Sequence, residues 1–284
     1  MQSLTVGISP CPNDTYIFHA LIKNLVASPA SCRWFLEDVE TLNLALINKD
    51  FIADFDVCKV SIGALPYILD EYVVLRSGGA LGLGCGPVLL AEKGTTLEAL
   101  KDISLAVPGL YTTANNLLSV YGRMNNTFYG ERVPLRFDLI MPAIQEKRFK
   151  AGVVIHEGRF TYQDYGLECL LDLGQWWEGT FNLPLPLGVI VAKRSLGYKN
   201  LLALEEAIRR SIKYAEANPL VTLSYIKEHA QELNDAVIAS HINTFVTKWS
   251  YNYDKSGEEA ILTFLKHHSN SENKKIDFHT VFVE

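Results

Sequence analysis

Short apolar runs alternate with longer stretches of helical spacing along this chain, and this alternation constrains the fold most strongly. The N-terminal part predicts strands at Leu4–Ile8, Arg33–Glu37 and Asp56–Val60, separated by helices at Tyr16–Val26 and Thr41–Lys49. Strands that alternate with helices along a sequence are typical of a mostly parallel sheet covered by helices. The sequence therefore predicts an α/β fold.

A second unit of the same kind follows in the middle of the chain. Strands are predicted at Ile103–Val107, Leu135–Asp138 and Val153–Ile155. Between them, one helix is predicted to begin at Thr112 or Thr113, and another to span Met141–Arg148. The repeated pattern indicates a second lobe built like the first.

Two further apolar strands, Gly86–Ala91 and Leu187–Ala192, are natural points for the chain to cross between the lobes. One lobe is then predicted to hold residues 1–88 and 190–284, and the other to hold the inserted residues 89–189. Two lobes joined by a two-strand hinge typically leave a ligand crevice between them.

The remainder of the chain is predicted to be mainly helical. The predicted helices are Leu201–Asn218, Leu220–Glu232, Ala236–Trp249 and Glu258–His268. The tail Asp277–Val283 is apolar, and we expect it to pack against the body of its lobe.

Composition excludes several classes of function. The net charge is −6 and basic residues do not cluster with aromatic ones, so we expect no nucleic-acid partner. No apolar run reaches the ~18 residues of a membrane helix, and the first residues lack the features of a secretory signal. Five scattered cysteines without a Cys-x-x-Cys pair indicate reduced thiols rather than a disulfide framework or a zinc site. We therefore expect a cytoplasmic protein.

Polar residues lie at or beyond the ends of three of the predicted strands, where loops of an open α/β sheet face the ligand crevice. The first group is Ser9, Asn13 and Asp14, and the second is Lys59 with Ser61. The third group comprises two threonines, Thr112 and Thr113. Hydroxyls, a lysine and the free N–H groups of a helix start suit an anionic ligand. The alternative is ordinary helix capping, with Asn13 or Asp14 as an N-cap of the first helix.

His156 directly follows the predicted strand Val153–Ile155, with Glu157 and Arg159 beside it. Histidine exchanges protons readily near neutral pH, so at a strand end it is placed to act as a general base. The alternative is that His156 only caps the strand or binds a loop carbonyl. Glu157 and Arg159 are expected to support the loop.

Other conspicuous features of the sequence do not by themselves predict a binding or catalytic site. The glycine-rich segment Ser77–Pro87 lacks the lysine of a phosphate-binding loop and leads into a strand, so it does not predict a nucleotide site. His19 is a secondary candidate, Trp176 favours packing as much as ligand binding, and Cys11 alone is weak evidence for a nucleophile. The other helical histidines are expected at the surface or in packing.

Six segments together carry a resemblance to a known family. They are Ser9–Thr15, Glu37–Asn43, Leu75–Gly82, Ala106–Gly109, Ile155–Tyr162 and Leu183–Gly188. In this order, from about residue 5 to about residue 250, they resemble the 1,4-dihydroxy-6-naphthoate synthase family of the futalosine route to menaquinone. The resemblance implies a two-lobed fold like that of the type 2 periplasmic binding proteins.

The resemblance also implies the reaction and its residues. The expected lyase converts cyclic dehypoxanthine futalosine to 1,4-dihydroxy-6-naphthoate, needs no cofactor or metal, and acts as a monomer or homodimer. His156 matches the family's proton-accepting histidine. The family's substrate-binding segments match Lys59, Val60, Ser61, Thr113 and Ala114. The alternatives are a chorismate dehydratase-like enzyme of the same pathway and a non-catalytic solute-binding protein.

Overall fold

The computed structural model describes residues 3–49, 53–127, 129–156, 158–230, 234–272 and 276–283. The chain divides into two compact units. Unit 1 comprises Met1–Gly82 together with Pro186–Glu284, and unit 2 comprises Leu83–Leu185. The two crossings therefore come a few residues earlier in the chain than the predicted boundaries at 88/89 and 189/190.

Eleven strands are described. They are β1 Leu4–Ile8, β2 Cys32–Leu36, β3 Val57–Ser61, β4 Tyr72–Val74, β5 Ala80–Gly82, β6 Val88–Glu92, β7 Leu105–Val107, β8 Arg132–Pro134, β9 Ala151–Val154, β10 Leu167–Asp172 and β11 Leu185–Lys193.

Eleven α-helices are described. They are α1 Pro12–Ile22, α2 Val39–Asn48, α3 Thr113–Met124, α4 Ile140–Gln145, α5 Gly158–Thr161, α6 Leu173–Phe181, α7 Tyr198–Ala217, α8 Pro219–His229, α9 Asp235–Phe245, α10 Lys248–Tyr251 and α11 Lys255–Glu272. Short 3₁₀ helices lie at Ile62–Tyr67, Glu98–Leu100, Phe137–Leu139, Tyr162–Tyr165, Arg194–Leu196 and Phe278–Thr280. None of the described helices is both long and apolar enough to cross a membrane.

The sheet of unit 1 has the order β2-β1-β3-β11-β4, and β5 pairs with β11. The pairs β1–β2 and β1–β3 are parallel, whereas β11 runs antiparallel to both β3 and β4. All five residues of β3 are buried. Gly7 keeps β1 close to its neighbours, since a Cβ there would lie 2.8 Å from Leu42 and 3.0 Å from Cys58.

The sheet of unit 2 has the order β10-β6-β9-β7-β8. The pairs β7–β8 and β7–β9 are parallel, but β6 is antiparallel to both β9 and β10. The α/β prediction is confirmed, yet each sheet is mixed rather than mostly parallel. The reason is that β6 and β11, the strands next to the crossings between units, each pair antiparallel with both neighbours.

Several predicted boundaries differ from the structure. The predicted strand Leu135–Asp138 is wrong: β8 lies earlier, and Phe137–Leu139 forms a 3₁₀ helix. The partner strand β7 ends at Val107, and the Leu135 N–H donates to the Val107 carbonyl at 2.9 Å. Beyond Leu135, β8 therefore has no residue of β7 left to pair with. The predicted helix Ala236–Trp249 is interrupted after Phe245, and Glu232 lies outside the described residues.

The apolar tail packs on unit 1, as the sequence predicts. Val281, Phe282 and Val283 are buried. The Val74 N–H donates to the Val281 carbonyl at 2.8 Å, and Val74 forms an isolated parallel bridge with Phe282. The tail thus adds backbone pairing at the β4 edge of the sheet.

Candidate active site

Strand β3 positions two of the predicted binding residues of unit 1. Lys59 and Ser61 stand two residues apart, so their side chains leave the same face of the strand. Both are buried, at 4% exposure each. Val60, between them, is fully buried and its side chain leaves the opposite face. Of the three, only Lys59 and Ser61 present polar side chains on this face.

Lys59 forms a buried ion pair with Asp14 of α1. Its Nζ lies 2.6 Å from Asp14 Oδ1, and the two side chains are 5% and 1% exposed. Nζ also donates to the Gly78 carbonyl at 3.4 Å. An ammonium carries three N–H groups, and Lys59 donates its third to none of the residues that the structure describes. The pair is neutral overall and keeps one N–H for a ligand.

The Asp14 carboxylate also accepts three hydrogen bonds from its own loop. Oδ1 accepts from Asn13 Nδ2 at 2.8 Å, and Oδ2 accepts from the Ser9 hydroxyl at 2.7 Å and the Ser9 N–H at 3.2 Å. The expected N-cap role of Asn13 or Asp14 is wrong, because α1 begins earlier. Cys11 occupies the N-cap position and Pro12 the first helical turn, where its missing N–H costs nothing.

Asn43 of α2 holds Ser61 through both ends of its amide. Its Oδ1 accepts from the Ser61 N–H at 2.9 Å, and its Nδ2 donates to Ser61 Oγ at 3.1 Å. Nδ2 donates its second hydrogen to Glu40 Oε2 at 2.9 Å. Asn43 is fully buried, so these bonds are shielded from water. The sequence analysis did not identify Asn43, and only its place in the segment Glu37–Asn43 pointed towards it.

In unit 2, the predicted threonines begin helix α3. Thr112 is the N-cap: its hydroxyl accepts from the Asn115 N–H at 3.3 Å and donates to the Gly109 carbonyl at 2.7 Å. The capping alternative is therefore correct for Thr112. Thr113 and Ala114 form the first turn of α3 and are 4% and 2% exposed. The Thr112 hydroxyl therefore stabilises the start of α3.

His156 follows β9, as predicted, and is half-buried. Its φ of +56° lies in the left-handed region, which a non-glycine residue adopts only at some cost. Its ring meets Phe137 edge to face, with centroids 4.9 Å apart. Backbone and aromatic contact together fix where the imidazole lies. Nothing in the sequence indicated Phe137, because Leu135–Asp138 was predicted to be a strand.

Arg159 fixes the backbone near the crossing into unit 2. Its Nη1 donates to the Gly86 carbonyl at 2.5 Å, and its Nη2 lies 3.1 Å from Asp172 Oδ2. Asp172 in turn caps α6 by accepting from the Gln175 N–H at 3.0 Å. Arg159 therefore supports the loops, as expected. Glu157 lies outside the described residues.

The secondary candidates take part in packing. The His19 ring stacks on Tyr225 at 4.8 Å and its Nδ1 lies 3.2 Å from Thr222 Oγ1. Burial, with the Lys23 charge, lowers the pKa of His19. Trp176 meets Tyr121 edge to face at 5.2 Å.

Two further groups near β3 were not identified as parts of a site. His241 of α9 is buried, as the packing expectation allows, and its Nε2 lies 3.0 Å from Asn13 Oδ1. It thereby extends the polar chain that runs through Asn13 and Asp14 to Lys59. Burial raises the pKa of the Cys58 thiol well above its ordinary value, so this thiol stays protonated and unreactive.

Solved structures establish the fold. A crystal structure of a protein from Archaeoglobus fulgidus superimposes with a TM-score of 0.86 and 31% identity, covering 95% of this chain and 98% of that one. The ligand-binding component of an ABC-type import system from Staphylococcus aureus superimposes with a TM-score of 0.70 and 15% identity, covering 100% of this chain and 97% of that one. The periplasmic aliphatic sulphonate-binding protein of Escherichia coli also gives a TM-score of 0.70, at 12% identity, covering 100% and 92%. The predicted periplasmic-binding-protein-like fold is confirmed.

Relatives of known name establish the family. The sequence pattern of the menaquinone biosynthesis family matches residues 4–270. A 1,4-dihydroxy-6-naphthoate synthase of Thermus thermophilus is 46% identical, and the match covers 92% of each chain. A protein of the same name from Streptomyces coelicolor is 39% identical over 93% of this chain and 92% of its own. The chain therefore belongs to the menaquinone biosynthesis family.

Proposed function

We propose that this protein is a lyase that converts cyclic dehypoxanthine futalosine to 1,4-dihydroxy-6-naphthoate and releases the sugar-derived fragment as a small dihydroxy ketone. Its relatives named 1,4-dihydroxy-6-naphthoate synthase, 46% and 39% identical, support the reaction. The structural observation that carries the proposal is His156, held in a left-handed backbone conformation where a buried strand ends. We place the reaction in the cytoplasm, as the reduced cysteines lead us to expect.

His156 is the proposed general base. Removal of a substrate proton starts ring opening and carbon–carbon cleavage, and formation of the aromatic naphthol drives the reaction forward. Residues in sparsely populated backbone regions often lie at functional sites, because the surrounding structure must hold them there. The Phe137 ring packs edge to face against the imidazole. A base fixed in this way needs little reorganisation when the substrate arrives.

Lys59 and Ser61 are the proposed donors to the substrate's carboxylate. Each is buried and each keeps one hydrogen that it donates to none of the described residues. Hydrogen bonds to charged groups contribute about 1.5–3 kcal/mol each, and more of this is retained where water is excluded. Because Asp14 balances its charge, Lys59 binds through a directed N–H rather than through net charge.

Ser9, Asn13 and Asp14 are proposed to act through Lys59. Asp14 is fully buried, and its two oxygens already accept four hydrogen bonds. These three residues therefore hold the lysine in place. Thr113 and Ala114, at the start of α3, are proposed to offer backbone N–H groups to substrate oxygens, while Thr112 keeps the helix start in its conformation.

Incubation of the purified protein with cyclic dehypoxanthine futalosine tests the proposed reaction. We expect 1,4-dihydroxy-6-naphthoate to form, detected by chromatography and mass spectrometry, without any added metal or nucleotide. Conversion of chorismate instead would identify a chorismate dehydratase-like enzyme. Binding of the substrate without turnover would identify a solute-binding protein, and either result would overturn the proposal.

His156→Asn tests the base. Asparagine also tolerates the left-handed region, so the backbone should be kept while the proton acceptor is lost. General-base catalysis typically contributes ~10²–10⁴-fold, and we expect kcat to fall by about that factor with little change in substrate affinity. A variant that turns over near the wild-type rate would exclude His156 as the base.

A further inference from the structure

We propose that Asn43 is a positioning residue that directs the hydroxyl proton of Ser61 towards the substrate's carboxylate. The inference rests on the proposed function, in which Ser61 contacts that carboxylate. Asn43 lies on α2, outside the three groups of residues that the loops contribute. Its side chain forms two hydrogen bonds with Ser61 and is itself fully buried.

The bonds of the Asn43 amide fix its orientation. Oδ1 accepts from the Ser61 N–H, so the amide cannot rotate by half a turn without facing one N–H with another. Glu40 secures the same orientation from the other side, because its Oε2 accepts from Nδ2 at 2.9 Å. Glu40 and Asn43 lie three residues apart on α2 and so share one face of the helix.

The fixed amide decides what the Ser61 hydroxyl can do. Nδ2 donates to Ser61 Oγ, so that oxygen acts as an acceptor towards Asn43. Its own proton must then point elsewhere, and Ser61 donates it to none of the described residues. A buried hydroxyl with an undonated proton is a costly arrangement unless a ligand accepts the bond. Asn43 therefore converts Ser61 into a donor suited to an anion.

An exchange of the two groups on α2 tests this role. The double variant Glu40→Gln/Asn43→Asp keeps one amide and one carboxylate in the pair, so the buried charge is unchanged. The new carboxylate can still accept from the Ser61 N–H, but it also accepts the Ser61 hydroxyl proton and draws it away from the substrate. We expect KM to rise about ten- to hundred-fold while kcat changes less than threefold. The single variant Glu40→Gln leaves both Asn43–Ser61 bonds in place, so its KM should rise by much less than that of the double variant.

Ser61→Ala, alone and combined with the exchange, completes a cycle of variants. Because both changes act through one hydroxyl, the triple variant should have the same KM as Ser61→Ala. If the two effects on KM multiply instead, Asn43 does not act through the Ser61 hydroxyl, and the inference is overturned. A purely structural change would lower the urea midpoint and leave KM alone, so unfolding of each variant is measured in parallel.

The outcomes separate this inference from the proposed function. If Ser61→Ala raises KM and the exchange does not, Asn43 is not a positioning residue, whereas the reaction and Ser61 keep their assignments. If the wild-type protein does not turn over the cyclic substrate, the proposed function fails. Binding of 2-naphthoate, with 2-naphthol as the control without a carboxylate, then tests Asn43 directly. Equal affinity of the wild type and the exchange variant for 2-naphthoate would overturn the inference.

Discussion

At the scale of single residues, the chemistry of the site is decided by the partners of each polar group. Lys59 is a cation in the sequence, but Asp14 balances it at 2.6 Å in a place where both are buried. Ser61 is an ordinary hydroxyl in the sequence, but in the structure its oxygen accepts from Asn43 Nδ2 at 3.1 Å. In each case one hydrogen is donated to none of the described residues, and we propose that it binds the ligand. Recognition at such a site depends on directed bonds more than on net charge.

The Lys59–Asp14 pair leads to a stability prediction. Asp14→Asn leaves the Lys59 charge buried without a counter-charge, and Lys59→Met does the same to the carboxylate. Each should lower the free energy of unfolding by about 3–5 kcal/mol, measured by urea denaturation. The double variant should cost less than the sum of the two, because neither charge is then left alone. Additive losses would show that the two side chains do not depend on each other.

The backbone of His156 leads to a second prediction, which separates stability from catalysis. Asparagine accepts a φ of +56° readily, whereas a β-branched residue does not. His156→Asn should leave the free energy of unfolding within about 0.5 kcal/mol of the wild type, and His156→Val should lower it by about 1–2 kcal/mol. Both variants should lose activity. Equal stability of the two would mean that this position relaxes without cost.

At the scale of elements, the residues proposed for the site lie near the ends of strands and helices. In unit 1 the end of β3 and the first turn of α1 supply Lys59, Ser61 and Asp14. In unit 2 the end of β9 and the first turn of α3 supply His156 and Thr113. Residues in loops at strand ends are not paired with a neighbouring strand, so their polar groups remain available for ligands.

A cap at an element end gives a pH-dependent prediction. Hydrogen bonds from Lys248 and Ser256 hold the pKa of the Asp254 carboxyl well below its usual range, aided by the Gly257 N–H at the start of α11. A folded-state pKa below the unfolded value of about 4 stabilises the protein fully above that pH and loses this effect as the pH falls. Because the side chain is 45% exposed, we expect only about 1 kcal/mol.

Asp254→Asn should therefore reduce the free energy of unfolding by about 1 kcal/mol at pH 7. At pH 3 the wild type and the variant should differ less, since the wild-type protein has then begun to lose the same interaction. Urea denaturation at both pH values measures the difference. A gap that widens at low pH would contradict the assigned direction of the pKa shift.

At the scale of the whole molecule, two units divide the chain, and unit 2 is one continuous segment. Its sheet, from β6 to β10, lies entirely within Leu83–Leu185. Its core is built from its own residues, among them Leu90, Ile140 and Val154. Unit 1 depends on two separate segments, because β11 pairs with β3 and β4 across a long stretch of sequence.

This division predicts that a fragment of residues 83–185 folds alone. A segment with its own sheet and core should show a cooperative urea transition, with a slope of about 1 kcal/mol per molar urea for a chain of this size. Circular dichroism of the fragment measures the transition. The fragment of residues 1–82 is the matched control, and we expect it to remain unfolded because its sheet lacks β11. A fragment 83–185 without a cooperative transition would contradict the prediction.

The sequence by itself determined the order of the main elements and the positions of the loops that we propose to be functional. Alternating apolar periods are local properties, so the strands β1, β3 and β9 and the helices α1, α2 and α3 could be identified from neighbouring residues alone. His156 and Ser61 could be selected for the same reason, since one follows a buried strand and the other ends one, and Lys59 lies two residues before Ser61. The six family segments added the reaction.

Only the tertiary structure decided strand direction, partner choice and orientation. The antiparallel course of β6 and β11 and the early end of β8 depend on which strand lies alongside, and local spacing does not encode this. Asn43 meets Ser61 across 18 positions, and His241 meets Asn13 across 228. A hydrogen bond requires a donor–acceptor distance defined within a few tenths of an ångström and a favourable angle. Such pairs therefore exist only once the chain has folded.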